Sequence, residues 1–357
     1  MKKLKIAVYT IALNEEKHVP RWYDSIKDAD YIVVADTGSS DDTVGKLKSL
    51  GGENRPIVNV YSISVQPFRF DDARNAALAL VPGDADVCIS LDMDEWLELG
   101  WRKHIEDSWV PGTTRLNYRY AFDYHPGQVN SYFWIDKIHA RHGYRWQRPV
   151  HETIFPQDIK EVSATSANLL MNQIQDRTKS TRKNYLPLLE KTYNEYPIDS
   201  QIAFWYGREL LNYGKIDEGK AILQKYLELP TSTWNIERSE ALRLLGGINN
   251  LYQALIETDT RREIWLDLAI YFYNKNDWIN CVWACENGLS KSARTGTYLD
   301  NESTWHGQLN DYASIGYFSL GEYVKAKFHN DIAIKLAPND QRLLNNARFI
   351  EEKLNGV

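Results

Sequence analysis

The stretch Cys88–Trp96, CISLDMDEW, runs from an apolar strand pattern straight into three carboxylates, Asp92, Asp94 and Glu95. Like charges gathered this closely repel, so the chain must give them to water or to a cation. In an extended segment, residues two apart face the same way. Asp92 and Asp94 are therefore expected to aim together at one hard divalent cation, directly or through water, with Glu95 turned elsewhere onto backbone. An EF-hand is excluded, because Asp92, Asp94 and Trp96 lack the third oxygen ligand and the turn glycine. An isolated Asp-x-Asp is also common in solvated turns. Its meaning depends on where the strand ends.

Outward from this stretch, strand and helix signals alternate. KIAVYTI, YIVVAD, VNVYSISV and ADVCISLD read as four short buried strands. Between them, EEKHVPRWYDSIKD places Val19, Trp22, Tyr23 and Ile26 at helical spacing. GSSDDTVGKLKSL turns into a second helix with Ser or Asp as cap, and FDDARNAALAL into a third capped by Asp71 or Asp72. Such alternation means parallel strands joined by right-handed crossovers, with ligands at the strands' carboxyl ends. Asn14, Asp36 and Asp92 each stand where a strand stops. From about Leu97 to Glu161 come aromatic strand-like pieces, TRLNYRYAF, SYFWIDKIHA and YRWQRPVHETIF, expected to form a mixed or antiparallel extension of the sheet. After roughly Ser166 the strand signals stop.

The rest reads as helical and repetitive. YNEYP, YLELP and IKLAP end on prolines 197, 230 and 338. The first interval is 33 residues, and the second, 108, holds about three units of a 34-residue type. Gly214 aligns with Gly321, each followed five residues later by a small residue, Gly219 or Ala326. A third frame has Asn276 at the turn and Cys281 at the small position. The chain is thus expected to divide into an α/β domain at 1–175 and an all-α repeat domain at 176–357. Repeat arrays of this kind present a concave surface to a partner.

Composition narrows the function classes. A length of 357 residues suits two domains, and 43% hydrophobic with 25% charged residues is ordinary for a globular chain. A net charge of −6 argues against a sequence-independent grip on nucleic acid. The 12 Trp and 22 Tyr are unusual; flat amphipathic rings suit sugar faces and bases, although core packing takes most of them. Cys88, Cys281 and Cys285 make no disulfide framework, and Cys281 and Cys285, without His partners, read as small buried residues. HARH, with His139 and His142, reads as a basic surface strand rather than a zinc site. With no signal-peptide core and no membrane-length apolar window, the expected location is cytoplasmic.

In order along the chain, TIALNEE, VVADTGSSDDT, ARNAAL and SLDMDEW resemble the family 2 glycosyltransferases over about the first 155 residues. The following repeats look like a branch of that family carrying tetratricopeptide (TPR)-like helices. The resemblance implies a Rossmann-like GT-A domain, the nucleotide-diphospho-sugar transferase fold, and an inverting, metal-dependent hexosyltransferase using Mn2+ or Mg2+ and a UDP-sugar. Residue by residue, Thr10, Ile11 and Asn14 match the loop lining the nucleoside pocket. Asp36 matches the acid that reads base and ribose, with the bland alternative of capping the SSDDT turn. Many members carry a second acid directly after it, where this chain has Thr37. Arg74 and Asn75 match the helix start that faces the donor. Asp92 and Asp94 match the pair that holds the donor diphosphate through the metal, with Asp94 also catalytic.

RPVHETI supplies the other half of the expected site. Glu152 is the candidate general base, His151 a further metal ligand, and Asp123 the fallback base. The bland reading has both on a strand, one paired with Arg148. Trp134, Tyr144 and Trp146 either stack on an acceptor or pack in the core. The acceptor is open among a glycan, a lipid-linked sugar, a protein side chain and a modified nucleobase, with the repeats binding it or mediating self-association. Two other classes compete. One is a scaffold whose repeats bind a protein while the front domain is a degenerate sugar-nucleotide module. The other, a nucleotidyltransferase, needs a glycine-rich basic first loop that TIALNEEKH does not provide.

Overall fold

A computed structural model describes residues 3–52, 56–122, 124–125, 132–174 and 185–356. The chain forms two compact units, residues 1–195 and 196–357.

The first unit is built on an eight-stranded sheet in the order β3-β2-β1-β4-β7-β6-β10-β5. Strands β1 (Ile6–Ala12), β2 (Tyr31–Asp36), β3 (Val58–Ser62) and β4 (Val87–Ser90) are the four parallel strands expected. Helices cover the faces of this part, so β4 is buried at every residue and β1 at all but Ile11. That double burial explains why these strands read as apolar runs rather than alternating ones. Helix α1 (Val19–Ile26) buries Val19, Trp22, Tyr23 and Ile26, the residues its spacing singled out. The Trp22 indole N–H donates to the Leu91 carbonyl at 3.1 Å, tying α1 to the acidic stretch just past β4.

Helix α2 (Thr43–Lys48) starts after Asp42, whose side chain makes no capping bond, and Asp41 instead accepts the Thr43 N–H at 3.0 Å, an Asp at this start as expected. The cap expected for α3 (Phe70–Ala79) is corrected. Arg69 stands at the N-cap position, and Asp71 and Asp72 lie in the first turn, where the helix dipole favours anions.

The other half of the sheet is mixed. It contains β5 (Glu95–Leu97), β6 (Arg115–Ala121), β7 (Tyr132–Ala140) and β10 (Ser163–Gln173). Strand β7 runs antiparallel to both β4 and β6, and β10 parallel to β6. A two-stranded ribbon, β8 (Tyr144–Gln147) with β9 (Thr153–Pro156), lies apart from the sheet. Two expectations fail here. The segment after Leu97 contains a helix, α4 (Trp101–Ser108), and strand structure continues past Ser166 to Gln173. The polar sequence SATSANLLMNQ and a bulge between Ser166 and Leu170 hid β10 from a periodicity reading. The expected boundary at 175/176 falls outside the described residues. Helix α5 (Tyr185–Glu195), where Arg69 donates to Glu195 at 2.9 Å, belongs to the first unit.

The second unit is helical throughout its regular structure. Paired helices follow one another: α6 (Ser200–Asn212) with α7 (Ile216–Glu228), α8 (Asn235–Leu245) with α9 (Ile248–Glu257), α10 (Arg262–Tyr273) with α11 (Trp278–Lys291), and α12 (Gln308–Ser319) with α13 (Tyr323–Leu336). Helix α14 (Gln341–Leu354) packs on α13. The three pairs between Pro230 and Pro338 agree with the interval arithmetic. Gly214, Asn276 and Gly321 take the left-handed turns, with φ of +76°, +55° and +79°. A Cβ on Gly219 would lie 2.9 Å from the Gly207 carbonyl oxygen, so α6 and α7 meet there backbone to backbone. Cys281 and Cys285 are fully buried in the core of α10 to α12. Among the described residues, no helix is long and apolar enough to cross a membrane.

Candidate active site

The acidic stretch is a turn rather than an extension of β4. The Glu95 N–H donates to the Asp92 carbonyl at 2.9 Å, closing a β-turn over Met93 and Asp94. The two carboxylates therefore owe their positions to tertiary partners, not to alternation along a strand. Asp92 is gripped in bidentate fashion by Arg74, Nη1 to Oδ1 at 2.7 Å and Nη2 to Oδ2 at 3.0 Å. The same guanidinium donates Nε–H to Glu152 Oε1 at 2.6 Å and Nη1–H to Ser90 Oγ at 3.3 Å. Burial opposes the charge on Arg74, but Asp92 and Glu152 outweigh it and hold the guanidinium well above its ordinary value. Three residues scattered over the sequence thus meet in one ion-pair cluster at the carboxyl end of β4.

Asp94 is oriented separately. Gln173, at the end of β10, donates Nε2–H to Asp94 Oδ2 at 3.1 Å, and Arg21 donates to the Asp94 carbonyl while stacking 4.4 Å over the Trp96 ring. Glu95 is fully buried, and its Oε2 accepts the Asp92 backbone N–H at 2.9 Å, the backbone role expected of it. Its Oε1 meets Tyr120 at 3.0 Å and the Lys137 ammonium at 2.8 Å. Burial pushes Glu95 up, while Lys137 pulls it down. For Lys137, burial works against the charge, but Glu95 and Asp92 keep the ammonium above its ordinary value. Lys137, Tyr120 and Gln173 carried no motif signal. Only the strand pairing brings them to the acids.

Beneath Arg74 lies a buried polar chain that sequence reading also missed. Trp146 sits 5.1 Å under the guanidinium, and its indole N–H donates to the Tyr9 hydroxyl at 2.7 Å. Tyr9 lies 2.9 Å from His139 Nε2, and His139 Nδ1 lies 2.8 Å from the Ala140 carbonyl. The carbonyl only accepts, so Nδ1 carries the proton and Nε2 accepts from Tyr9. Burial pushes His139 down to about 3, which keeps this ring neutral. His139 is 0% exposed, so the surface-strand reading of HARH is wrong for it. In the sheet His139 pairs with Cys88 on β4 and Arg115 on β6, so neighbours on both sides cover it.

The other expected residues fall into two groups. Asn14, at φ +56°, accepts the Ser40 N–H at 2.7 Å and donates its own N–H to Ser39 Oγ at 2.9 Å. Asp36 accepts the Gly38 and Ser39 N–H groups at 3.1 Å, which is the turn-capping arrangement. Thr10 is buried beside them, its hydroxyl on the Ile11 carbonyl. Asn14 ties the end of β1 to the loop after β2, while Thr10 and Asp36 bond within their own segments. Asn75 instead clamps the ribbon, accepting the Trp146 N–H at 2.9 Å and donating to its carbonyl at 2.8 Å. His151, at φ +52°, meets the Tyr185 hydroxyl at 2.8 Å. Asp123 lies outside the described residues.

Among the described residues, no three His, Cys, Asp or Glu side chains gather into a metal cage. Asp92, Asp94 and His151 accordingly do not form one together. A hard cation of the Mg2+ kind needs fewer protein ligands, since it is commonly held by one or two carboxylates together with substrate phosphates. Asp94, half-buried beside Asp92, fits that donor set.

Residues 7–110 match the profile of Glycosyl transferase family 2. This segment is a family 2 glycosyltransferase domain. The chain is 26% identical, over 163 residues, to the "Lipopolysaccharide core biosynthesis glycosyltransferase LpsC" of Rhizobium meliloti (strain 1021), an alignment covering 43% of this chain and 58% of that relative. Among solved structures, the C-terminal part of a TPR repeat-containing protein from Cytophaga hutchinsonii matches with TM-score 0.38 and 17% identity, covering 49% of this chain and 69% of that one. The MamA protein matches with TM-score 0.36 and 15% identity, covering 44% and 82%. The matched segment is followed along the chain by the helix pairs of the second unit.

Proposed function

We propose that this chain transfers a sugar from a nucleotide-sugar donor, a UDP-sugar in the first instance, to an acceptor hydroxyl in one inverting displacement. The observation that supports it best is the Arg74 guanidinium shared by Asp92 and Glu152. It gathers the acid of the family motif and a second carboxylate at the carboxyl end of β4. Glu152 is 13% exposed and uses Oε1 for Arg74, while Oε2 accepts no hydrogen bond among the described residues. That oxygen is the base that takes the acceptor's proton as the hydroxyl attacks the anomeric carbon. Arg74, packed on Trp146, holds the carboxylate in place. Asp94, with the donor's phosphates, would hold a Mn2+ or Mg2+ ion, whose chemistry is Lewis-acid stabilisation of the leaving diphosphate. The ends of β1 and β2, with Thr10, Ile11, Asn14 and Asp36, form the nucleoside side of the site.

LpsC is named for lipopolysaccharide core biosynthesis, so a saccharide acceptor of that kind is the first to test. The helical pairs bind the acceptor or mediate self-association. Donor turnover, measured over several nucleotide sugars, is expected to need Mn2+ or Mg2+ and to stop with EDTA. Turnover indifferent to EDTA, or undiminished in Asp94→Ala, overturns the metal-dependent mechanism.

A further inference from the structure

Lys137 lies on β7, one residue beyond the Ile89–Ile138 pair, which sets it beside the carboxyl end of β4. Its side chain is 21% exposed, yet no sequence motif marks it. The ammonium stands 2.8 Å from Glu95 Oε1, 3.8 Å from Asp92 Oδ2 and 5.6 Å from the centre of the Tyr120 ring. An ammonium has three N–H donors. Glu95 takes one of Lys137's, and no other acceptor among the described residues comes within hydrogen-bonding distance. A largely buried cation with donors left over is costly unless a further acceptor meets them. Asp92 is held by Arg74 on one side and faced by Lys137 on the other, so two cations flank this carboxylate, each with a second carboxylate of its own, Glu152 or Glu95. A fixed guanidinium and an ammonium at one strand end suit an anion richer in oxygens than one carboxylate.

We propose that Lys137 is a donor-binding residue whose ammonium receives the diphosphate of the nucleotide sugar. This rests on the sugar-transfer reading above and adds to it a cation supplied by the protein itself. Glu95 is then the buried anion that keeps the ammonium aimed at the site, and Tyr120 its apolar floor. Lys137 would share the neutralisation of the leaving diphosphate with a Mn2+ or Mg2+ ion held at Asp94.

Calorimetric titration of the full chain with nucleoside diphosphates (UDP, GDP and dTDP) and with the matching monophosphates, all with Mg2+, tests the assignment. A lysine on the diphosphate contributes to the diphosphate far more than to the monophosphate, whereas a lysine that only braces the fold affects both alike. Lys137→Met is expected to weaken the preferred diphosphate about tenfold or more and the monophosphate by less than about threefold, the scale of one charge-assisted contact. Lys137→Arg should recover most of the loss. Parallel loss of both nucleotides, or no loss, overturns the proposal. Amine acylation read by mass spectrometry on the unaltered chain does not depend on the variants folding. Lys137 should be protected by the diphosphate and not by the monophosphate, and equal labelling in the three states counts against it. A wild-type chain that binds none of the diphosphates removes the sugar-transfer reading as well. Diphosphate binding that ignores Lys137→Met removes only the lysine.

Discussion

Arg74 is the residue on which the candidate site turns, and its energetics follow from burial. It is 6% exposed and shares its charge between Asp92 and Glu152. Removing one partner of such a cluster leaves uncompensated charge, so Arg74→Met is expected to cost about 3 kcal/mol in denaturant unfolding as well as activity. Glu152→Gln keeps the shape and leaves the Arg74–Asp92 pair intact. Transfer is expected to fall by at least about 10²-fold, the range of a lost general base, with donor affinity nearly unchanged in equilibrium titration. A large loss of donor binding would move Glu152 out of the base role. His139 gives the site's foundation a pH dependence. Its folded form is neutral down to about pH 3, while the unfolded chain takes up a proton below about 6.5. Stability from this residue is full above that range and drains away as pH falls through it. His139→Gln should show a shallower decline in denaturation free energy from pH 7 to 4, although it loses hydrogen bonds at pH 7.

At the scale of elements, periodicity succeeded where burial is symmetrical and failed where it is not. Strands β1, β2 and β4 carry apolar runs because both faces are covered, and α1 shows its buried face at 3.6-residue spacing. Strand β10 mixes exposed and buried residues across a bulge, so its pattern resembles neither template. The turn at Asp92–Glu95 was misread for a related reason, since one closing hydrogen bond is invisible in residue types. In the helical pairs the small positions carry a sharper message. A Cβ at Gly219 would meet Leu211 at 2.8 Å as well as the Gly207 carbonyl oxygen at 2.9 Å. Gly219→Val must push α6 and α7 apart and is expected to destabilise the second unit by about 2 kcal/mol, read as a lowered melting temperature.

On the scale of the whole molecule, His139 and Glu237 should contribute pH dependences of opposite sign, one in each unit. In the second unit Glu237 is 4% exposed and accepts the Tyr298 hydroxyl at 2.9 Å, and burial pushes its carboxyl up to about 7. A raised carboxyl is protonated when folded and ionised when unfolded between about pH 4.5 and 7. Its contribution is therefore present at the acid end of that window and lost as pH rises through it. His139 in the first unit does the reverse. Calorimetric scans between pH 5 and 7.5 that compare each variant with the unaltered chain should show His139→Gln removing acid destabilisation and Glu237→Gln removing acid stabilisation. Glu237→Gln, which cannot ionise, should flatten the helical response and leave the other transition alone.

Much of this arrangement is legible in residue order because it rests on local physics. Apolar runs, turn residues and a 34-residue period specify strands, helix pairs and their succession without reference to distant neighbours. The candidate residues Arg74, Asp92 and Glu152 were legible too, by resemblance to the family 2 glycosyltransferases. Their meeting was not, because 78 residues separate Arg74 from Glu152. Lys137, Tyr120, Gln173 and the Trp146–Tyr9–His139 chain were out of reach for the same reason. Strand order and register decide which polar side chains share a buried space, and a buried charge takes its role from its partners there. Sequence alone determined the kind of fold and the acids at its centre. Tertiary structure decided which cations hold those acids, because a buried ion pair depends on spatial neighbours that sequence spacing does not encode.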